Sequence, residues 1–417
     1  MTRTSDTSIR LSSALLTLIL GGVQTVMPIS TDLYLPALPT IARDLNVSPG
    51  AAQLTLAVFM IGVAIGQIAN GPVTDKYGRK KPLLVGLAVY ILGAMICALA
   101  PTITMLIGGR FLQALGASAG AVITAAIARD LWSGKLLADR LSLLFLIIGV
   151  APILAPSLGG LILTQWDWHG LFWFLVAFGT LVAISVTLLP ETSSAHERAH
   201  VRLRDAVGTY ATLLRNTPFI LFVLTGACAV GMLLTYITGS SFIYMKTLGV
   251  TPSVFGVLFG VNAIGFIGAS QFNRVLLRHL SLLSITRGAV IAAVLVALLL
   301  LAVMASGYAS TLSLTVLFFA LSAAIGLIIP NNAALAFGTV RERMGSAAAL
   351  QGTMQSVFGG VAGGLVGALA NGATLPVMGI ITGFAALAAV FLLAAHRWQP
   401  GTHMAPQPLP DPGTELR

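Results

Sequence analysis

Long stretches without a charged residue constrain this chain more than any other feature of its sequence. Ten such stretches lack Asp, Glu, Lys and Arg, and two of them, 288–340 and 344–396, are by far the longest. A helix that crosses a membrane needs about 20 apolar residues, so each of these two is long enough for two helices. Both break at a polar turn, near Gly307 and near Gly372. The pattern therefore predicts an all-α integral membrane protein with twelve spans.

Composition excludes the common soluble classes of protein. Only 9% of the 417 residues are charged, whereas a soluble domain carries about 25%, so the chain lacks the polar surface of a cytosolic enzyme. The net charge of +10 is scattered over short loops and not gathered in one patch, which argues against nucleic-acid binding. Cys97 and Cys228 both lie inside apolar stretches and are expected to pack there as inert residues. We expect no cofactor and no metal site.

Basic residues fall almost entirely on one side of the predicted spans. When successive loops are assigned to alternate sides, all but three of the 23 Lys and Arg residues lie on the side that holds both termini. The exceptions are Arg43 and Lys246 on the other side, and Arg110 within a span. Because cytoplasmic loops carry an excess of Lys and Arg, both termini are predicted to be cytoplasmic, in a multi-pass protein of the bacterial inner membrane.

The longest charged connection, 191–215, divides the chain into two halves of six spans each. We assign 1–190 to an N-terminal six-helix bundle and 216–396 to a C-terminal one. The remaining segment, 397–417, is polar and rich in proline, and is expected to be a disordered cytoplasmic tail.

The linker between the halves carries two local patterns. Leu203, Val207, Tyr210 and Leu214 recur at helical spacing, which predicts an amphipathic helix on the cytoplasmic membrane surface; a plain polar linker is the alternative. The sequence His-Glu-x-x-His at 196–200 is the spacing of a zinc protease. No apolar helix surrounds it and no third ligand is evident, so a protease is not expected.

The loop after span two contains a specific motif. Six of its positions agree with a known signature: Gly71, Asp75, Lys76, Gly78, Arg79 and Lys80. This loop resembles the signature loop of the major facilitator superfamily. We expect Gly71 to let two helices approach closely and Gly78 to permit a tight turn. Asp75 can pair with Arg79 or with a charge on a neighbouring helix end, where Asp130 is the candidate.

The resemblance implies that this charged cluster latches the cytoplasmic side in the outward-open state. The alternative is that its basic residues are only a topology signal. The matching loop of the second half has Asn273 and no acidic residue, so a second charged latch is not expected there.

Asp32 is the one acidic residue within a long apolar segment. Ionisable residues inside a membrane are costly and are functional by default. Together with Tyr34, Pro36 and Pro39, Asp32 resembles the Asp-x-Tyr-x-Pro-x-x-Pro stretch of the drug:proton antiporters. The alternative is that Asp32 only caps the helical segment that follows it.

Arg110 is the one cation in the middle of a span, in a stretch that resembles the span-four motif of the superfamily. Arg110, Gln113 and Thr124 share a face of small and polar residues, which predicts a cavity wall. We predict that Asp32 binds a proton when it faces out and releases it when it faces in, with Arg110 as the second charge of the pair. The alternative is that Arg110 only satisfies carbonyl groups between helices.

Span five contains Gly149, Pro156, Gly159 and Gly160. These residues resemble the antiporter motif Gly-x6-Gly-Pro-x-x-Gly-Gly, with Ala155 in place of one glycine. A bend at Pro156 and close packing at the glycines are expected. The resemblance implies an exporter, with this motif at the interface of the two halves.

Polar residues in the later spans are predicted to face the interior, because polar groups in lipid must find partners. Whether they touch the substrate or only hold helices together is open. The full set of candidate substrate-binding residues is Asp32, Tyr34, Arg110, Gln113, Tyr236, Asn262, Asn332 and Gln355.

Together the motifs resemble the bicyclomycin-resistance/chloramphenicol-exporter branch of the drug:proton antiporters. The resemblance implies a twelve-helix major facilitator fold of two pseudo-symmetric six-helix bundles. It also implies a monomeric secondary transporter in membrane lipid, without enzymatic activity, that exchanges protons for an amphiphilic drug such as a phenicol or bicyclomycin. The alternatives are a proton-coupled exporter of an amino acid, sugar or nucleoside, a membrane-embedded enzyme, and a proton-coupled importer.

Overall fold

The computed structural model describes residues 12–132, 134–193, 203–340, 344–370 and 373–397. Within these ranges the chain is helical and contains no strand. Ten of the described helices are long and apolar enough to cross a membrane. Two further long helices, Gly134–Gln165 and Met344–Leu365, lie at the places of spans five and eleven. The all-α membrane fold predicted from the sequence is confirmed.

The spans follow one another through short loops. Spans one to six are Ser13–Asp32, Pro49–Tyr77, Lys80–Ala98, Ile103–Leu131, Gly134–Gln165 and His169–Thr187. Spans seven to twelve are Thr217–Ser241, Pro252–Leu276, Leu282–Ala305, Thr311–Gly338, Met344–Leu365 and Leu375–Arg397. Gly307, with φ +76°, turns the chain between spans nine and ten as predicted. Gly372 lies outside the described residues.

Short polar side chains fix where many spans begin. Each sits at the N-cap and accepts a hydrogen bond from a backbone N–H three residues later, which satisfies a donor that the first helical turn leaves free. The residues that do so are Ser12, Ser48, Thr102, Asn216, Thr251, Ser281 and Ser310. Because lipid offers no partner to a backbone donor, such caps let a span start at the edge of the membrane.

The packing of spans repeats after six helices. Span four packs against spans two and three, and span five packs against span one. In the second half span ten packs against spans eight and nine, and span eleven against span seven. The halves meet along two pairs of spans: span two packs against span eleven, and span five packs against span eight. A shift of six spans converts one pair into the other. The structure therefore confirms two pseudo-symmetric six-helix bundles.

Glycines bring the halves into backbone contact along both pairs. A Cβ at Gly50 would collide with the carbonyl group of Gly367, and a Cβ at Gly256 would lie only 2.7 Å from Cα of Ser157. We call four of the glycines that make such contacts the glycine seam: Gly50, Gly160, Gly256 and Gly367. All four lie near the face opposite the chain ends. We call that face the opposite face, and the face with the chain ends the basic face.

The linker forms a helix, Leu203–Arg215, which packs against spans seven and eleven. Leu213 is buried against the bundle, while Leu214 is 53% exposed. The helix is present as predicted, and its position on a membrane surface stays a prediction. The His-Glu-x-x-His sequence at 196–200 and the tail after Arg397 lie outside the described residues.

Candidate functional site

Span one ends at Asp32 because two prolines follow closely. The chain passes into a short turn, Leu35–Ala37, and then a short helix, Leu38–Asp44, each with a proline in its first positions. Proline suits the start of a helix but cannot continue the hydrogen bonding of a preceding one. Asp32 is buried, and Thr31 Oγ1 donates a hydrogen bond to its Oδ1 at 3.1 Å. The carboxyl group thus lies where the helix stops.

The end of span one contacts the second half of the molecule. The turn that follows Asp32 packs against spans seven and eight. The Tyr236 hydroxyl accepts a hydrogen bond from Asn262 Nδ2 at 2.7 Å, and its ring stacks on Phe259 with centroids 5.6 Å apart. Tyr236 and Asn262 of the predicted site are therefore in contact with each other, on the two spans against which the turn after Asp32 packs.

Gln53 crosses the boundary between the halves, and the sequence analysis missed it. Its Nε2 donates to the backbone carbonyl oxygen of Thr238 on span seven at 3.3 Å. An uncharged polar residue within span two was the available signal. We call the polar residues at this boundary the boundary cluster: Asp32, Gln53, Tyr236, Thr238, Ser241 and Asn262. Four of its buried atoms have no hydrogen-bond partner among the described residues: Gln53 Oε1, Thr238 Oγ1, Ser241 Oγ and Asn262 Oδ1.

Arg110 lies inside the first half. Its Nη1 donates to the Ser30 carbonyl at 3.0 Å and to Gln113 Oε1 at 2.8 Å. The guanidinium carbon is 4.1 Å from the ring centroid of Phe59 and 4.8 Å from that of Tyr34. A carbonyl, an amide and two aromatic faces thus surround the cation. Sequence periodicity predicted Gln113 as a neighbour but gave no sign of Phe59.

The two charges of the predicted proton-coupling pair are not in contact. Arg110 is fully buried and its partners named above all belong to the first half, whereas the turn after Asp32 packs against spans seven and eight of the second half. Among the described ion pairs none joins Arg110 to Asp32. Tyr34 is also fully buried, and its hydroxyl group forms a 3.0 Å hydrogen bond with Thr55. In this conformation Arg110, Gln113 and Tyr34 form one group and Asp32 belongs to another.

Asn332 and Gln355 form a third group, nearer the basic face. Asn332 Nδ2 of span ten donates to the Phe222 carbonyl of span seven. A Cβ at Gly226 would lie 2.9 Å from that nitrogen and 3.9 Å from Gln355 Nε2. Spans seven, ten and eleven therefore converge here because Gly226 has no side chain. Asn332 Oδ1 is buried without a hydrogen-bond partner among the described residues.

Asn273 and Asn331 form a buried pair that the sequence analysis did not predict. Each amide nitrogen donates to the other side chain's oxygen, at 3.0 and 2.7 Å. Asn273 occupies the position where the first-half loop carries an acidic residue. The second half thus uses a neutral amide pair to join spans eight and ten.

The charged loop after span two contacts the ends of spans four and six. Arg79 Nε lies 3.3 Å from Asp130 Oδ2, which also accepts a hydrogen bond from Thr192 Oγ1 at 2.8 Å. The structure therefore brings Arg79 and Asp130 of the predicted latch together. The side chain of Asp75 lies outside the described residues.

Glu191 is a further member of this cluster that the sequence did not indicate. Its carboxylate accepts hydrogen bonds from the backbone N–H groups of Arg79 at 2.8 Å and Lys80 at 3.2 Å. It therefore caps span three with a negative charge, which the helix dipole favours. Gly78 has φ +88°, and a Cβ there would lie 2.7 Å from Glu191 Oε2, so glycine is needed for the turn as predicted.

One expectation for this loop is wrong for this conformation. A Cβ placed on Gly71 would meet no described atom within 4 Å. Gly71 therefore does not mediate a close helix approach here, because the neighbouring helices pass it at a distance.

The span-five motif lies against both span one and span eight. A Cβ at Gly159 would collide with the carbonyl group of Leu33, the residue after Asp32, and Gly160 lies against the Pro252 carbonyl of span eight. Gly149 makes only ordinary contact with Ile267, at 3.5 Å. Pro156 lies within span five, and a Cβ at Gly256 of span eight would lie 3.0 Å from the carbonyl carbon of Pro156. The motif thus supports the end of span one and joins the two halves.

Comparison with protein families identifies the fold. The sequence pattern of the Major Facilitator Superfamily matches residues 20–364, which is most of the chain. The chain belongs to the major facilitator superfamily. It is therefore a membrane transporter of small molecules and not an enzyme, and the alternative of a membrane-embedded enzyme is excluded.

Several bacterial members of the superfamily are similar in sequence. The uncharacterized MFS-type transporter YdgK of Bacillus subtilis is 36% identical over 360 residues, which cover 84% of this chain and 88% of that protein. A bicyclomycin resistance protein homolog of Haemophilus influenzae is 32% identical over 63% of this chain and 66% of its own. The multidrug resistance protein MdtL of Escherichia coli is 34% identical over 57% of this chain and 60% of its own. The chain thus matches slightly less than two thirds of the last two.

Solved structures of superfamily members share the architecture. A D-xylose–proton symporter superposes with a TM-score of 0.72 at 15% identity, covering 91% of this chain and 97% of its own. A bacterial homolog of the human lysosomal transporter Spinster gives 0.68 at 16% identity, covering 93% and 99%. At such identities the likeness establishes the fold alone.

Proposed function

We propose that this transporter is a proton-coupled multidrug antiporter of the bacterial inner membrane, with both termini in the cytoplasm. It exports amphiphilic drugs of the phenicol and bicyclomycin kind by alternating access. The observation that carries the proposal is Asp32, a buried carboxylic acid at the end of span one, beside the turn that packs against spans seven and eight of the other half. Relatives named for bicyclomycin and multidrug resistance support the choice of drugs as substrates.

Proton binding changes what the boundary cluster can hold. Ionised Asp32 offers two acceptor oxygens and a negative charge, whereas protonated Asp32 offers a donor and no charge. A drug with donor groups and a proton therefore compete for the same carboxylate. Because the cluster contains residues of both halves, a change at Asp32 alters the contact between them. Drug is exchanged for proton when the drug-bound protein favours opening to one side of the membrane and the protonated protein favours opening to the other.

The latch and the seam have separate parts in this cycle. The cluster of Arg79, Asp130 and Glu191 joins elements of the first half to the first residue of the linker, so it supports 1–190 as one moving unit. The glycine seam brings the backbones of the two halves into contact near the opposite face. We propose that 1–190 and 216–396 rock against each other along the seam, in a monomer surrounded by lipid.

Drug accumulation in efflux-deficient bacteria tests the proposal. Cells that express the protein are expected to accumulate less thiamphenicol and bicyclomycin, and a protonophore should abolish the difference. Asp32→Asn should behave like the protonophore, because an amide cannot take up and release the proton. Asp44→Asn is the matched control, since Asp44 lies on the short helix after span one and its side chain is 39% exposed.

Active export by Asp32→Asn, at the wild-type level and still sensitive to the protonophore, would refute the role of Asp32. Absence of any effect on accumulation, with the protein correctly inserted, would refute drug export and redirect attention to metabolite export.

A further inference from the structure

We infer that the transport site selects substrates that present hydrogen-bond donors, hydroxyl or N–H groups, and discriminates against analogues in which a donor is blocked. The inference rests on the proposed function and specifies the chemistry of its substrates. It follows from how two buried amides are held, one in each half of the molecule.

Gln53 offers an acceptor whose orientation is fixed. Its Nε2 donates to the backbone carbonyl oxygen of Thr238 at 3.3 Å, and a carbonyl can only accept. If the amide were rotated, Gln53 Oε1 would face the carbonyl oxygen of Thr238, and two acceptors would repel each other. Oε1 must therefore point away from Thr238. The side chain is 1% exposed, and Oε1 has no hydrogen-bond partner among the described residues. An acceptor oxygen is therefore available inside the boundary cluster.

Asn332 repeats this arrangement in the second half. Its Nδ2 is committed to the Phe222 carbonyl, so its Oδ1 is also a fixed acceptor. It is 2% exposed and lacks a partner within the described part of the chain. Gln53 lies towards the opposite face and Asn332 towards the basic face. Each half thus contains one buried acceptor oxygen whose orientation is fixed by its own amide nitrogen.

Cationic donors do not balance these acceptors. Two nitrogens of the Arg110 guanidinium group, Nε and Nη2, have no hydrogen-bond partner among the described residues, but the contacts of this group are with the first half, including the rings of Tyr34 and Phe59. The boundary cluster contains no Lys or Arg, and its hydroxyl groups can either donate or accept. Asp32 adds a further acceptor whenever it is ionised. An anionic drug would meet a carboxylate without a compensating cation, so anions should be poor substrates.

The size of the expected preference follows from the cost of an unpaired acceptor. A buried acceptor that loses its partner in the bound state retains its full desolvation penalty. One missing donor should therefore lower export about tenfold, which corresponds to about 1.4 kcal/mol.

Two phenicols form a matched pair for the test. Florfenicol carries fluorine in place of the primary hydroxyl group of thiamphenicol and otherwise has the same structure. Initial rates of export of both drugs would be measured in efflux-deficient cells, with the protein at equal membrane abundance. We expect thiamphenicol to be exported about ten times faster at equal low concentration.

Two substitutions on span two locate the preference. Gln53→Met removes the acceptor and should bring the two rates within about twofold of each other. Gln67→Met is the matched control, because Gln67 lies on the same span but its Oε1 already accepts a hydrogen bond from Ser356 at 3.4 Å. This control should keep the wild-type preference. A preference that persists in Gln53→Met would overturn the assignment of Gln53.

The comparison in the wild-type protein does not depend on how well any variant folds. Equal export of both drugs would overturn the donor rule and leave drug export standing. Export of neither would overturn the proposed function, and the donor rule with it.

Discussion

Replacement of Gly256 by alanine tests whether the backbone contact between the halves has the geometry described here. The added Cβ would lie 2.7 Å from Cα and 2.9 Å from N of Ser157 on span five. Carbon atoms in good contact are about 3.5–4.0 Å apart, so spans five and eight must separate by about 1 Å. Both contacted atoms belong to the backbone and cannot rotate away. Overpacking of this kind costs about 1–3 kcal/mol.

Thermal unfolding of the purified transporter in detergent measures this cost. At roughly 2 °C per kcal/mol, Gly256→Ala should lower the Tm by about 2–6 °C. Gly268→Ala is the matched control on the same span, because its Cβ would meet no described atom within 4 Å. Its Tm should stay unchanged or rise slightly, since alanine is the better helix former. Equal Tm values for Gly256→Ala and Gly268→Ala would refute the contact.

Three further substitutions test other parts of the structure. Asp130→Asn should leave the Tm within about 1 °C of wild type, because its ion pair with Arg79 is partly exposed and such pairs contribute about 0–1 kcal/mol. The same variant should slow export several-fold if the latch acts in the cycle, and export at the wild-type rate would argue for a topology signal alone. Glu191→Gln should lower the free energy of unfolding in denaturant by about 1 kcal/mol, because it weakens the cap of span three; no loss would show that the cap is dispensable. Asn273→Leu should cost about 1–3 kcal/mol by leaving the buried Oδ1 of Asn331 without its donor, and the double variant with Asn331→Leu should recover part of this cost. Strictly additive effects in that double-mutant cycle would contradict the amide pair.

The positions of the spans were predictable because a membrane imposes a length of apolar sequence that is visible without any structure. The break after Asp32 was signalled by Pro36 and Pro39, and the turn at Gly78 by its motif. These features depend on local chemistry, so the sequence around them is sufficient.

Contacts between helices were less predictable, because helical spacing gives the face of a residue but not the helix that meets it. The stripe that contains Arg110 was visible, yet nothing in it pointed to the ring of Phe59 on span two. Glu191 lies in a linker with several other charged residues, and no sequence pattern distinguishes it from them. Asn273 indicated only the absence of an acidic residue, so its pairing with Asn331 was not predictable. Gly71 matched its motif, but the helix approach expected there is not made in this conformation.

The glycine seam also bears on how such a protein evolves. Its contacts are between backbone atoms, so they place no demand on the side chains that face the interior. Residues such as Asn262 and Asn332 can be exchanged without altering these backbone contacts between the halves. Changes in substrate range are thereby separated from changes in the backbone contacts along which the two halves move. One fold can acquire new substrates by single substitutions, provided that the four glycines of the seam are kept.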